Sequence, residues 1–116
     1  MRKFHSSTVG IDDGDVILFS DFEDDGEMWR GAGPRENRVA VTFSQQYIGI
    51  PHVQVSISMW DISNSSNTRV DVQAENITKS GFEIAFRTWA DTQVARARVA
   101  WTAIGELPHD DGWNLD

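Results

Sequence analysis

Cysteine is absent from this 116-residue chain, which excludes disulfides, thiolate metal sites and a cysteine nucleophile and leaves the redox compartment open. Positive charge is scarce as well. Ten Lys and Arg stand against 18 Asp and Glu, and a net charge of -8 repels the phosphate backbone that nucleic-acid-binding proteins neutralise. No run of about 18 apolar residues occurs, so no membrane-inserted span is expected. The opening "MRKFHSSTVGIDDGD" has two basic residues but no apolar core segment, so no secretory signal is expected either, and localisation is otherwise left open. Catalytic patterns are lacking too. His5, His52 and His109 have no metal-ligand spacing, no Ser, His and Asp stand in a recognisable frame, and nothing marks a pair of facing carboxylates. The stretch Asp21, Glu23, Asp25, Gly26 imitates the start of an EF-hand loop, but its twelfth position is Ala32 where a bidentate Glu is required. The chain therefore reads as a non-enzyme with no catalytic residue, no cofactor and no assigned metal ligand, its acidic clusters being solvated loops.

What is present points to a packed β domain. Five Trp and six Phe in a chain that is 40% hydrophobic argue for a folded core, and the length suits one domain. From Val39 onward the apolar residues recur with a period of two, which places alternate side chains on opposite faces of strands. Val39, Val41 and Phe43 form one such set, and Val53, Val55, Ile57 and Met59 a second, with Trp60 expected on the opposite face from Val55 and Ile57. Val70, Val72 and Ala74 follow, then Phe82, Ile84 and Phe86 after a turn at Lys79 to Gly81, as in a hairpin. Ala95, Ala97, Val99 and Trp101 share one side of a last strand from Val94 to Ile104. "DVILFSDF", beginning at Asp15, is expected to be the first strand. The tract from Glu23 to Asn37 is expected to be a loop too polar for the core, and loops of that length are often functional. No helix is expected. The fold class is all-β, a six-stranded antiparallel β-sandwich, with residues 1–116 as one domain: an arm over 1–8, the sandwich over 9–105, and an acidic tail over 106–116 that carries Trp113.

Several separated motifs carry a resemblance. Phe43 and, eight residues on, Pro51 lead into "VQVSI"; then come "NTRV" from Asn67, "NITKSGFEIAFRTWADTQV" from Asn76, and "VAWTAI" ending at Ile104. This order resembles the H-type lectin domain, the family of the snail agglutinin and the discoidin C-terminal domains. The resemblance covers Val39 to Ile104 well and is looser upstream. It implies a six-stranded antiparallel sandwich that assembles as a trimer or hexamer and binds galactose or N-acetylgalactosamine at protomer interfaces, without catalysis or an obligatory metal. It implies a site that combines an arginine and a small or acidic residue of the first loop with an aromatic and a polar group of the neighbouring protomer; on it, Arg69 of "NTRV" falls on the arginine that bonds sugar hydroxyls and Trp89 of "TWADT" on the site tryptophan, with Asp91 in the same motif. A guanidinium fork suits paired hydroxyls, and an indole suits the apolar face of a pyranose. The first loop is represented by Trp29, Gly31, Gly33 and Glu36. Two positions depart from the pattern: the snail lectin has histidine and tyrosine where this chain has Ala90 and Ala95.

The function expected is thus a multivalent lectin for galactose, N-acetylgalactosamine or a related sugar. The alternative is an oligomeric adhesion module, such as the spike or fibre tip of a phage-like particle, with an altered sugar site. Arg87, Arg96 and Arg98 are expected to form cross-strand ion pairs with residues such as Asp71, Glu75 and Glu83, or to line a three-fold interface.

Overall fold

Alternating apolar positions settle into six antiparallel strands in a computed structural model that describes residues 1–109. In chain order these are β1 (Val9–Ser20), a short helix α1 (Glu27–Arg30), β2 (Arg35–Thr42), β3 (His52–Ile62), β4 (Val70–Glu75), β5 (Gly81–Thr88) and β6 (Val94–Glu106). They pair into two three-stranded sheets, ordered β1-β6-β3 and β2-β5-β4, which face each other as a sandwich. β5 and β6 hold the centres of the two sheets, and their apolar rows supply the middle of the core. Ile84, Phe86, Val94, Ala97, Val99 and Ala103 are fully buried, and the ring of Phe86 meets that of Phe19 edge-on across the sandwich at 5.4 Å. At one end Phe43, Tyr47, Phe82 and Trp101 form an aromatic cluster with centroid separations between 5.2 and 6.0 Å. Offset and edge-to-face geometries of this kind add to area burial.

Several expectations need correction. The first strand starts at Val9, six residues before Asp15, and stops at Ser20, so Phe22 lies beyond it. Its first half, "VGIDDG", has no apolar alternation of its own and is held by pairing with β6, from Val9 opposite Glu106 onward. The tract from Glu23 to Asn37 is not structureless: it holds α1, with Met28 buried, and it enters β2 at Arg35. The carboxylate of Asp21, seven residues before, accepts the N–H of Met28 at 3.0 Å and so starts this helix in place of a local cap. A register shift between Ile57 and Met59 turns the alternation of β3 by one residue. Trp60 is thereby paired opposite Ala97, in register with the row of Val55 and Ile57, and its side chain is half exposed, at 51%, at the edge of the sheet. A matching irregularity in β1 lets the consecutive Leu18 and Phe19 both be buried.

Strand direction gathers the loops into two ends. Residues 21–34, 63–69 and 89–93 join strands at one end, while residues 43–51, 76–80 and the segments flanking β1 and β6 lie at the other. At that second end the carboxylate of Glu106 accepts the backbone N–H groups of His5 and Ser6, and these bonds hold its pKa below the ordinary glutamate value. No helix among the described residues is long and apolar enough to cross a membrane. Trp113 and the rest of residues 110–116 lie outside the described residues.

Candidate functional site

The loop end of the β2-β5-β4 sheet brings three strand ends side by side. Arg35, Thr88 and Val70 form one rung across β2, β5 and β4, so the next positions outward are Pro34, Trp89 and Arg69. The indole of Trp89 is 42% exposed there. It borders a depression of about 300 Å³ whose other walls include Pro34, Glu36 and Arg87. On the other flank, Nη1 of Arg69 donates to Oδ1 of Asp91 at 2.8 Å, and both side chains remain well exposed. Asp91 also accepts from the backbone N–H of Asn67, which is the main reason its pKa lies below the usual aspartate value, with the positive charge of Arg69 adding to it.

Two buried threonines lock this flank. Thr88 Oγ1 donates to the carbonyl of Arg69 at 2.6 Å, while Thr92 Oγ1 donates to the carbonyl of Asn67 at 2.6 Å and accepts the N–H of Arg69 at 3.1 Å. Side chains that satisfy backbone groups in this way replace the ladder where the strand stops. The guanidinium of Arg69 therefore projects from a fixed backbone, one position beyond the rung of Val70 and Thr88.

Arg35 does the same for the first loop. It is a buried arginine, 4% exposed, and among the described residues it has no carboxylate partner. Its fork donates instead to backbone carbonyls: Gly33 at 2.9 Å, Met28 at 3.1 Å, Glu27 at 3.4 Å and Ala90 at 3.3 Å. The Glu27 carbonyl also accepts the N–H of Gly31 at 2.7 Å, while that of Met28 lies in the last turn of α1, where carbonyls run out of helical donors that a rigid five-donor fork can replace. Gly33 N–H donates to the same Ala90 carbonyl at 2.9 Å, so the first loop and the Trp89 loop meet at one oxygen. Gly33 and Ala90 both have left-handed backbones, with φ of 74° and 58°. Sequence reading missed Arg35. Its only signal was an arginine at the head of a strand whose later residues alternate, on the same parity as Val39 and Val41.

The expected site residues thus divide. Arg69, Asp91, Trp89, Gly33 and Glu36 come together around the ends of β2, β4 and β5, with Gly31 packed beneath them against Arg35. Trp29 goes elsewhere: its ring stands edge-on to Phe22 at 5.2 Å and its carbonyl accepts from Gln93 Nε2 at 3.3 Å, beside the start of β6. Glu36 is not a free acceptor. It takes Arg38 Nε at 2.6 Å and Arg87 Nε at 2.8 Å. These bonds belong to an ionic net over the outer face of the sheet, where Arg38 and Arg87 also reach Glu75, at 2.6 and 2.8 Å, and more distantly Glu83 and Asp71. The hydrogen bonds from Arg87 and then Arg38 lower the pKa of Glu75 to about 2. Arg87 thus pairs with Glu75 and Asp71 as expected, whereas Arg96 and Arg98 lie on β6 in the other sheet and meet different carboxylates, Asp61 at 3.3 Å and Asp15 at 3.5 Å. Among the described residues no three His, Asp or Glu side chains are grouped to hold a metal ion.

An exposed indole, a positioned guanidinium and a carboxylate on fixed backbone form a surface that can stack an apolar ring face and grip hydroxyl groups at its rim. Comparison with known proteins places the chain in a family. The model of the H-type lectin domain matches residues 38–104, more than half of the chain. A protein of Fuscovulum blasticum called ATP synthase subunits region ORF 7 is 49% identical over 110 residues, covering 95% of this chain and 96% of its own length. A discoidin-1 polypeptide of Dictyostelium discoideum is 35% identical over 74 residues, which is 63% of this chain but only 29% of the discoidin. The native structure of recombinant discoidin II of the same organism superposes with a TM-score of 0.74 at 22% identity, over 90% of this chain and 40% of that one, and so shares the fold. The chain thus spans less than half the length of the discoidins it resembles. With the motif order, the two-sheet sandwich and the matched segment in agreement, this chain belongs to the H-type lectin domain family.

Proposed function

We propose that the chain is a non-catalytic lectin that binds galactose, N-acetylgalactosamine or a related sugar with Arg69, Asp91 and Trp89, beside the first loop at Gly31, Gly33 and Glu36. The observation that carries this reading is that Arg69 and Trp89 both stand at the loop end of the sandwich, one position beyond the rung of Val70 and Thr88; there the guanidinium of one protomer and the indole of the next grip one sugar ring between them. The indole stacks on the apolar face of the ring, and the guanidinium and the Asp91 carboxylate hold its hydroxyls. Trimers or hexamers multiply these weak sites, since each further contact is intramolecular once the first has formed. Trp29, held against Phe22, stands outside this set. A glycan array and retention on immobilised galactosamine test the reading with wild type and Arg69→Ala. Retention is expected for wild type and loss of about tenfold or more for the variant; equal binding by both removes Arg69 from the site.

A second reading, an oligomeric adhesion or spike module with an altered sugar site, is favoured by Ala90 and Ala95, which leave no polar or aromatic side chain at two family positions. Native mass measurement together with the array separates the two: an oligomer that ignores every sugar supports the adhesion module.

A further inference from the structure

We propose a second carbohydrate-binding site, for a neutral pyranose, on the outer face of the β1-β6-β3 sheet, where Phe22, Asp61 and Arg96 surround a cavity of about 210 Å³. It goes beyond the Arg69 and Trp89 site, which belongs to the other sheet. Its floor is a single rung across three strands: Ser20 of β1 and Asp61 of β3 both stand opposite Arg96 of β6. Arg96 Nε donates to Asp61 Oδ2 at 3.3 Å, and both side chains stay about half exposed, so neither group is used up by the pair. Glu23 and Ala95 complete the lining.

The phenyl ring of Phe22 is the decisive feature. It is 58% exposed, in a loop of acidic residues where a large apolar side chain has no core to enter. Yet it is held firmly. The N–H groups of Asp21 and Phe22 both donate to the carbonyl of Ala95, at 2.7 and 3.2 Å, and Trp29 braces the ring edge-on at 5.2 Å. A rigid aromatic ring presented to solvent, beside a guanidinium and two carboxylates on a β-sheet, is a preorganised set for sugar recognition. The ring takes the apolar C–H face of a pyranose, Arg96 donates to hydroxyl oxygens, and Asp61 and Glu23 accept from hydroxyl groups. One arginine against two carboxylates disfavours acidic sugars. Because this cavity and the Trp89 depression belong to different sheets, one chain holds two glycans at separate places on its loop end.

The test is a titration of the full chain, followed through its backbone amide NMR signals, with galactose, N-acetylgalactosamine, glucose and mannose. In Arg69→Ala, at least one sugar is expected still to shift the amides of Phe22, Asp61, Ala95 and Arg96. Phe22→Ala is expected to weaken that response about tenfold and to leave the shifts around Trp89 as they were. Phe22 is exposed, so the variant keeps its fold, and Arg96→Ala repeats the loss by an independent route. If no sugar moves these four amides, or if Arg69→Ala removes their response, the second site is overturned. Failure of the first site shows differently, as a wild type whose Trp89 and Arg69 amides do not move.

Discussion

A single buried guanidinium does most to organise the loops around Trp89. Arg35 donates to four carbonyls that no other side chain serves among the described residues. Removing it takes this donor from the carbonyls of Met28 and Gly33, while Glu27 keeps the N–H of Gly31 and Ala90 that of Gly33. Arg35→Ala is expected to lower unfolding stability in urea by about 3 kcal/mol, with Arg35→Lys recovering less than half, because an ammonium does not reproduce a planar fork. The glycines beside it separate by mechanism. A Cβ on Gly31 would lie 2.4 Å from the Glu27 carbonyl oxygen and 2.7 Å from Arg35 Cδ, whereas at Gly33 it meets open space and faces only the positive φ. Thermal unfolding is expected to show Gly33→Ala costing about 1 kcal/mol and Gly31→Ala clearly more. These residues show where sequence reading stops. Arg69 and Trp89 were visible because their motifs stand in a fixed order, but Arg35 looks like any arginine in a charged tract. What sets it apart is the set of carbonyls folded around it, and these come from residues 27 to 90.

At the scale of strands, alternation was legible wherever one face is core and the other is water. Val53, Val55 and Ile57 followed the pattern until the register shift after Ile57, which no local residue announces, turned Trp60 to the other row. β1 was half legible for a related reason, since the segment from Val9 to Gly14 takes its strand character from β6. The helix α1 was invisible because its apolar content is Met28 and Trp29 and its start depends on an aspartate seven residues away. The charged outer face of β2-β5-β4 has its own testable property. Glu75 has its pKa lowered from 4.5 to about 2, so its net interaction is complete above pH 4.5 and is lost as pH falls toward 2. Across that window, urea unfolding of wild type is expected to lose stability faster than that of Glu75→Gln, which has no proton to take up there. Parallel curves would show that the net contributes nothing on balance, as many exposed ion pairs do.

The whole molecule rests on two sheets meeting through β5 and β6. Phe86, fully buried and set against Phe19, bridges them, and Phe86→Ala is expected to cost about 4 kcal/mol in denaturant unfolding, detected as a shift of the midpoint without a change of slope. The outer ends of β1 and β6 leave from one end of the sandwich, since Val9 pairs with Glu106, and every loop named in a binding role lies at the other. A tether joined directly ahead of β1 or after β6 would therefore leave from the end opposite those loops. The loops that carry Trp89 and Phe22 then stand farthest from the tether, in the manner of a head on a stalk.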